Sequence, residues 1–339
     1  MSEGIVLGFS GGVDSACAAE MLRRQGFDVR CLYLETGSDE AESALSCARA
    51  MGLPLEVIDA RAELEEHVCR PFAEAYARGE TPSPCVLCNP SVKLRLLCSY
   101  ADELGINYIA TGHYARVSDG ALYMGRPEND QSYMLCRILP EQLRRLVLPL
   151  GEMIKAETRS LAEEWGLPAA KKPDSMELCF VPGGDYAAWL ERRGDAPEPG
   201  DIIYKGAPVA KHGGIHRFTL GQRRGLGYAA GRRVYVSEIR PGTREVVLTD
   251  GEGLFTREFY AGSMRWLTEP PAAPFDCGVR VRHSRALTPA RAFPEKDGRL
   301  KLVCEAPLRA PTPGQAAAVY RSCQLMGGGF VLHDTKDTI

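Results

Sequence analysis

The segment Ser10-Gly11-Gly12-Val13-Asp14-Ser15 combines glycines, hydroxyls and a carboxylate within six positions. Its glycines permit tight positive-φ turns, so several backbone N–H groups can converge on an anion. A helix starting just after it adds its N-terminal dipole, and Ser10 and Ser15 add donors. Asp14 does not suit a simple anion site, but it suits Mg²⁺ carried by phosphates. The pattern is neither the Gly-Lys-Ser/Thr loop nor Gly-x-Gly-x-x-Gly. A second group is Cys85-Val86-Leu87-Cys88 within Thr81–Asn89, with Cys179 in Lys171–Phe180 behind two lysines. A thiol near a helix N-terminus has a lowered pKa, which favours the thiolate. A lone Cys-x-x-Cys is weak evidence for zinc, which usually needs a second pair; Cys179 adds one thiol and His113 offers a nitrogen. Catalytic thiols, an iron–sulfur ligand set of Cys85, Cys88 and Cys179, and structural zinc all remain open.

The elements that position these residues follow from hydrophobic patterning. Ile5–Phe9, Val29–Leu34, Leu55–Asp59 and Tyr108–Thr111 read as strands. Ser15–Arg24, Glu40–Met51, Glu63–Tyr76, Val92–Leu104 and Lys155–Trp165 read as helices. This βαβα rhythm predicts a parallel sheet covered on both faces, with ligands beyond the carboxyl ends of its strands. Gly79–Pro90 carries Pro82, Pro84 and Pro90 and reads as an irregular loop, neither helix nor central strand. After about Gly194, Gly and Pro are frequent and short strand-like runs follow, which predicts an all-β region with a small barrel.

The 339 residues are 45% apolar and 25% charged, which fits two or three globular domains and excludes disorder, collagen-like repeats and a coiled coil. The net charge of −3 conceals an asymmetry. Residues 1–199 hold 20 Lys and Arg against 31 Asp and Glu, while residues 200–339 hold 21 against 13. The basic half includes Arg217, Arg223, Arg224, Arg232, Arg233, Arg280, Arg282, His283 and Arg285. A solvated positive face and a surface for RNA phosphates are its two readings. No secretory leader and no apolar run of membrane-spanning length is visible, so a cytoplasmic location and reduced cysteines are expected. Nine of the twelve cysteines have no informative spacing.

The Ser10–Ser15 loop resembles that of the N-type ATP pyrophosphatases, which activate a substrate oxygen as an adenylate and then admit a nucleophile. Further stretches match one family in order: Thr81–Asn89, Ile109–Arg116, Asp130–Tyr133, Lys172–Phe180, Thr219–Gly227, Thr312–Ala316 and Gly327–Gly329. Over nearly its whole length the chain resembles the tRNA-specific 2-thiouridylases, which use ATP and a persulfide sulfur to convert the wobble uridine of certain tRNAs to 2-thiouridine.

The resemblance implies an adenine-nucleotide hydrolase-like (PP-loop) catalytic domain over 1–193, a small linker domain over 194–256 and a C-terminal β-barrel over 257–339. Gly8, Phe9, Ser10, Gly11, Gly12, Val13, Asp14, Ser15, Leu34 and Gly112 would hold ATP with Mg²⁺. Ser83, Pro84 and Cys85 would border the target base. His113, Asn129, Asp130, Gln131, Arg282, His283 and Gln315 would contact tRNA at its anticodon stem-loop. Cys179 would receive a persulfide from a cysteine desulfurase or a sulfur carrier, and Cys88 would attack it or accept the resulting disulfide. Cys85 stands where many members carry an Asp proposed as general base. Some related enzymes use Cys-x-x-Cys plus a distant cysteine to hold a 4Fe–4S cluster, so that alternative is implied too. Ser83, Pro90, Met176 and His283 are smaller departures from the family pattern. Two rival functions stand beside this one: another ATP pyrophosphatase acting on a different tRNA base or a small substrate, and a non-catalytic, ATP-gated metal- or RNA-binding module. Asp14 speaks against the second, since adenine binding alone needs no metal carboxylate.

Overall fold

The computed structural model describes residues 2–38, 40–173, 178–282 and 286–333. The first half is built on a parallel sheet of β1 (Gly4–Gly8), β2 (Asp28–Glu35), β3 (Leu55–Asp59), β4 (Tyr108–Ala110) and β7 (Leu146–Val147), ordered β3-β2-β1-β4-β7. Alternation along β1 explains how both faces are buried. Ile5 and Leu7 pack against Ala16, Ala19 and Leu22 of the helix Val13–Arg24. Val6 faces the other way, among Leu94 and Leu97 of the helix Leu94–Glu103. Strand order reverses between β1 and β4, so the crevice for a ligand opens there, beside the loop that follows β1.

Two features depart from the sequence reading. Pro84–Cys88 is helical despite its proline-rich setting, because Pro84 takes the first turn, where an absent N–H costs no hydrogen bond. The chain then widens through the π-helical turn Asn89–Lys93, which takes in Pro90, and continues as Leu94–Glu103. Cys85 and Cys88 therefore lie on a helix. The second departure is a hairpin inside the first half, β5 (Ala115–Ser118) and β6 (Ala121–Met124), which pairs with the C-terminal barrel instead of the parallel sheet.

The remainder is all-β. Strands β8 (Gly200–Tyr204), β9 (Ala207–His212), β10 (Tyr235–Arg240) and β11 (Glu245–Thr249) form a sheet ordered β10-β11-β8-β9. The Gly- and Arg-rich stretch lies between β9 and β10, with Arg223, Arg224, Arg232 and Arg233 exposed. Strands β12 (Phe255–Trp266), β13 (Phe275–Arg280), β14 (Thr288–Pro294), β15 (Leu300–Arg309), β16 (Ala316–Arg321) and β17 (Gln324–Val331) follow the order β12-β15-β14-β13-β16-β17, and β12 pairs with β17 to close a barrel. Among the described residues, no helix is long and apolar enough to cross a membrane.

Candidate active site

The Ser10–Ser15 loop leaves the carboxyl end of β1, as its composition predicts. Ser15 Oγ donates to the Gly12 carbonyl at 3.0 Å and accepts from Ser10 N at 3.2 Å, which winds the loop into the helix start. Gly11 has φ +69°, and a Cβ there would lie 2.7 Å from Ala44 Cα, so both conformation and space require glycine. Gly112, just past β4, lets the backbone pass close to the loop: a Cβ would lie 3.2 Å from the Asp14 carbonyl carbon. Leu34 sits half-buried near the end of β2. The implied ATP residues thus gather at one sheet edge.

Asp14 has partners that sequence reasoning missed. Lys155 Nζ lies 2.7 Å from each of its carboxylate oxygens, and the Tyr114 hydroxyl donates to Oδ1 at 2.6 Å. Tyr114 OH also lies 3.0 Å from the Thr158 hydroxyl. These contacts span 141 and 100 positions of the chain, so no local spacing signals them. Both oxygens of the Asp14 carboxylate are engaged by the Lys155 ammonium, so a Mg²⁺ carried by phosphates would have to share or displace it.

Cys85 is exposed, Cys88 is half-buried and Cys179 is exposed. Cys179 lies near Thr36, past the carboxyl end of β2, and the Thr36 hydroxyl helps to lower its thiol pKa. Burial pushes the Cys88 thiol up to about 11, with the Lys93 ammonium pulling it down and the nearby Cys179 and Cys85 pushing it further up. Burial likewise raises Cys179, against Lys93. The expected depression of a helix-borne thiol is therefore reversed for Cys88: it sits at the far end of Pro84–Cys88, and desolvation outweighs the nearby positive charge. Lys93, five positions beyond Cys88, is the cation common to both thiols; the lysines singled out from sequence were Lys171 and Lys172. No group of three or more His, Cys, Asp or Glu side chains among the described residues is placed to hold a metal. Cys85, Cys88 and Cys179 are near enough to act on one another electrostatically but are not arranged around a single metal ion.

The polypeptide leading into this helix is clamped by both the middle sheet region and the barrel. Thr81 N donates to the Pro313 carbonyl at 2.8 Å, and Thr81 Oγ1 lies 3.1 Å from Thr219 Oγ1. Ser83 Oγ accepts from Ala316 N at 3.3 Å, and Pro84 is buried. His113 is half-buried, and its Nδ1 lies 2.7 Å from Thr111 Oγ1. Burial, assisted by Lys93, pushes its imidazole down to about 3, so it is neutral at physiological pH. Arg282 is exposed and Gln315 half-buried on the barrel side, whereas His283 lies outside the described residues. Asp130, assigned to tRNA from the resemblance, is buried. Its carboxylate is taken up by Arg280 Nη1 at 2.5 Å, Ser132 Oγ at 2.9 Å and the N–H groups of Gly125 and Ser132. It has no surface to offer an RNA.

The chain matches the family model described as the tRNA methyl transferase HUP domain over residues 3–183. It also matches the tRNA methyl transferase PRC-barrel domain over 189–250 and the aminomethyltransferase beta-barrel domain over 256–331. Proteins similar over the full length carry a different activity in their names. The tRNA-specific 2-thiouridylase MnmA of Syntrophotalea carbinolica is 37% identical over 96% of this chain and 98% of its own. That of a Methylobacterium species is 41% identical over 96% and 94%, and that of a Synechocystis species 37% over 100% and 99%. Identity at this level, sustained across all three regions, settles the relationship: the chain belongs to the tRNA-specific 2-thiouridylase family.

Proposed function

We propose that this chain is an ATP-dependent tRNA-uridine 2-sulfurtransferase acting on the wobble uridine. The observation that supports the reading is that the Ser10–Ser15 loop follows β1 and that Cys179, with Cys88 near it, lies close to Thr36 at the carboxyl end of the adjacent β2. The C2 oxygen of a flipped-out uridine attacks the α-phosphate and pyrophosphate leaves. The terminal sulfur of a Cys179 persulfide then attacks C2, and AMP departs with the former C2 oxygen. Cys88, as thiolate, attacks Cys179 Sγ; the S–S bond breaks, its electron pair stays on the C2 sulfur, and a Cys88–Cys179 disulfide remains for an external thiol to reduce. Mg²⁺ would neutralise phosphate charge beside Asp14. The sulfur comes from a persulfide-bearing protein, a cysteine desulfurase or a sulfur carrier. The test is purified chain with unmodified tRNA, ATP and a persulfide donor, scored by 2-thiouridine; pyrophosphate release without tRNA and no thiouridine would point to a small-molecule ATP pyrophosphatase instead.

The raised Cys88 thiol gives the sulfur-transfer step a pH signature. At neutral pH the group is protonated, so the thiolate-dependent rate should rise about tenfold per unit from about pH 7 to 9. Lys93→Met removes the attraction that holds the thiol down and should lower the rate by about tenfold throughout, leaving the slope intact. Single-turnover thiolation across this range checks both, and a flat profile in the native enzyme would contradict the assignment of Cys88.

The basic stretch between β9 and β10 is assigned to the RNA backbone. Arg223→Glu with Arg224→Glu should weaken tRNA binding by at least about tenfold while leaving nucleotide binding within about twofold. Parallel losses of both ligands would remove the RNA assignment.

A further inference from the structure

Asn129, Asp130 and Gln131 carry the family's tRNA-contact assignment, yet the Asp130 carboxylate and the side-chain oxygens of Asn129 and Gln131 are engaged within the protein. Asn129 Oδ1 accepts from Lys155 N at 3.0 Å, at the first residue of the helix Lys155–Glu164. That residue's ammonium grips both oxygens of Asp14. Gln131 brackets Tyr114: its Oε1 accepts from Tyr114 N at 3.1 Å, and its own N–H donates to the Tyr114 carbonyl at 2.8 Å. Tyr114 is the second side chain holding Asp14. Between them, Asp130 is bonded to Arg280 at the end of β13, and Ser132 Oγ lies 3.0 Å from Tyr320 OH of β16. Three consecutive residues thus bind the two supports of the ATP loop and, at their centre, the barrel.

We propose that Asn129–Gln131 is a positioning strap that couples the barrel to the Asp14–Lys155–Tyr114 group, so that tRNA seated on the barrel tunes ATP binding. The proposal deepens the function proposed above and rests on it. Its physical basis is that adjacent Cα atoms are fixed at about 3.8 Å, so a shift of the barrel carried through Arg280 to Asp130 must displace Asn129 or Gln131. Those residues set the backbone from which Lys155 and Tyr114 reach Asp14. Coupling of this kind is reciprocal: if tRNA strengthens nucleotide binding, nucleotide strengthens tRNA binding by the same factor.

A strap and an RNA contact predict opposite outcomes for two Asn129 variants of the full chain. Asn129→Ala deletes the acceptor for Lys155 N–H and should weaken α,β-methylene-ATP binding with Mg²⁺, measured calorimetrically without RNA, by about fivefold. Intrinsic affinity for unmodified tRNA, without nucleotide, should stay within about twofold. Asn129→Asp retains an acceptor at a helix N-terminus and should restore nucleotide affinity. In the native chain tRNA should change nucleotide affinity by about fivefold or more, and in Asn129→Ala this effect should shrink. The proposal is overturned if Asn129→Ala loses tRNA affinity with nucleotide binding unchanged, if Asn129→Asp fails to rescue, or if tRNA does not alter nucleotide affinity in the native chain. Gln131→Ala and Gln131→Glu repeat the comparison at Tyr114 should an Asn129 variant not fold. A native chain that binds nucleotide and tRNA interdependently but forms no thiouridine would sink the proposed function and leave the strap standing.

Discussion

Cys179→Ser should abolish 2-thiouridine formation, by at least about a thousandfold, while tRNA-dependent pyrophosphate release continues. The separation follows from where the two halves of the chemistry sit. In the proposed mechanism adenylation rests on the Ser10–Ser15 loop and Asp14, which Lys155 and Tyr114 hold. The proposed sulfur transfer rests on Cys179, beside Thr36 at the end of β2, and Cys88 on the helix Pro84–Cys88. A serine at position 179 cannot carry sulfane sulfur, because an oxygen offers no exchangeable persulfide bond. Cys88→Ser should give the same phenotype in turnover but stall with tRNA joined to Cys179 through an S–S bond, detectable as a covalent adduct of the intact chain that an added thiol releases. Cys85→Ser is the discriminating control. In the persulfide route Cys85 takes no part in the transfer, so its loss should leave thiolation within about tenfold of native. Equal inactivity of all three serine variants, with iron bound by the native chain purified without oxygen, would overturn the persulfide route. Retained thiolation in Cys179→Ser would overturn it more directly.

How far the sequence carried the reading depended on the distance over which each signal acts. The ATP loop was legible because its function is encoded in six contiguous residues between a strand and a helix. The parallel sheet was legible because buried strands read as short apolar runs. The helix carrying Cys85 and Cys88 was hidden by three prolines, although Pro84 at a helix's first position is compatible with it. The rise in the Cys88 pKa was hidden for another reason: it depends on desolvation, and no spacing reports how deeply a thiol is packed. Lys155 and Tyr114 were missed because they reach Asp14 only through the fold, over 141 and 100 positions. The Asp130 assignment shows the converse hazard. A motif position can be matched correctly to a family while its side chain points into the protein, and the burial that decides its role is absent from the motif.

That buried position yields the largest expected effect on stability. The Asp130 and Arg280 side chains are 2% and 0% exposed, and they meet across the contact between the first half and the barrel. Two desolvated charges are tolerated because each neutralises the other and Asp130 also accepts from Gly125 N, Ser132 N and Ser132 Oγ. Arg280→Ala leaves the carboxylate buried without its counter-charge and opens space over the Tyr320 ring, which the guanidinium faces at 5.5 Å. The expected cost is about 3–5 kcal/mol, read by urea unfolding. Most of that cost is the stranded charge, so Arg280→Met combined with Asp130→Asn, which keeps an acceptor for the Gly125 and Ser132 N–H groups, should recover most of the loss and make the two changes strongly non-additive. Because the pair spans an interface, the single variant should also separate unfolding into two transitions, with the barrel signal leaving first. A loss below about 1 kcal/mol in Arg280→Ala would mean that water reaches the pair and that the barrel is held by its apolar contacts alone. The double variant then serves the function as well as the fold. If Asp130 matters only as an anchor, uncharged side chains at both positions should restore tRNA-dependent nucleotide binding together with stability. If the ionic link itself transmits the barrel's position, stability should return and the tRNA dependence should not.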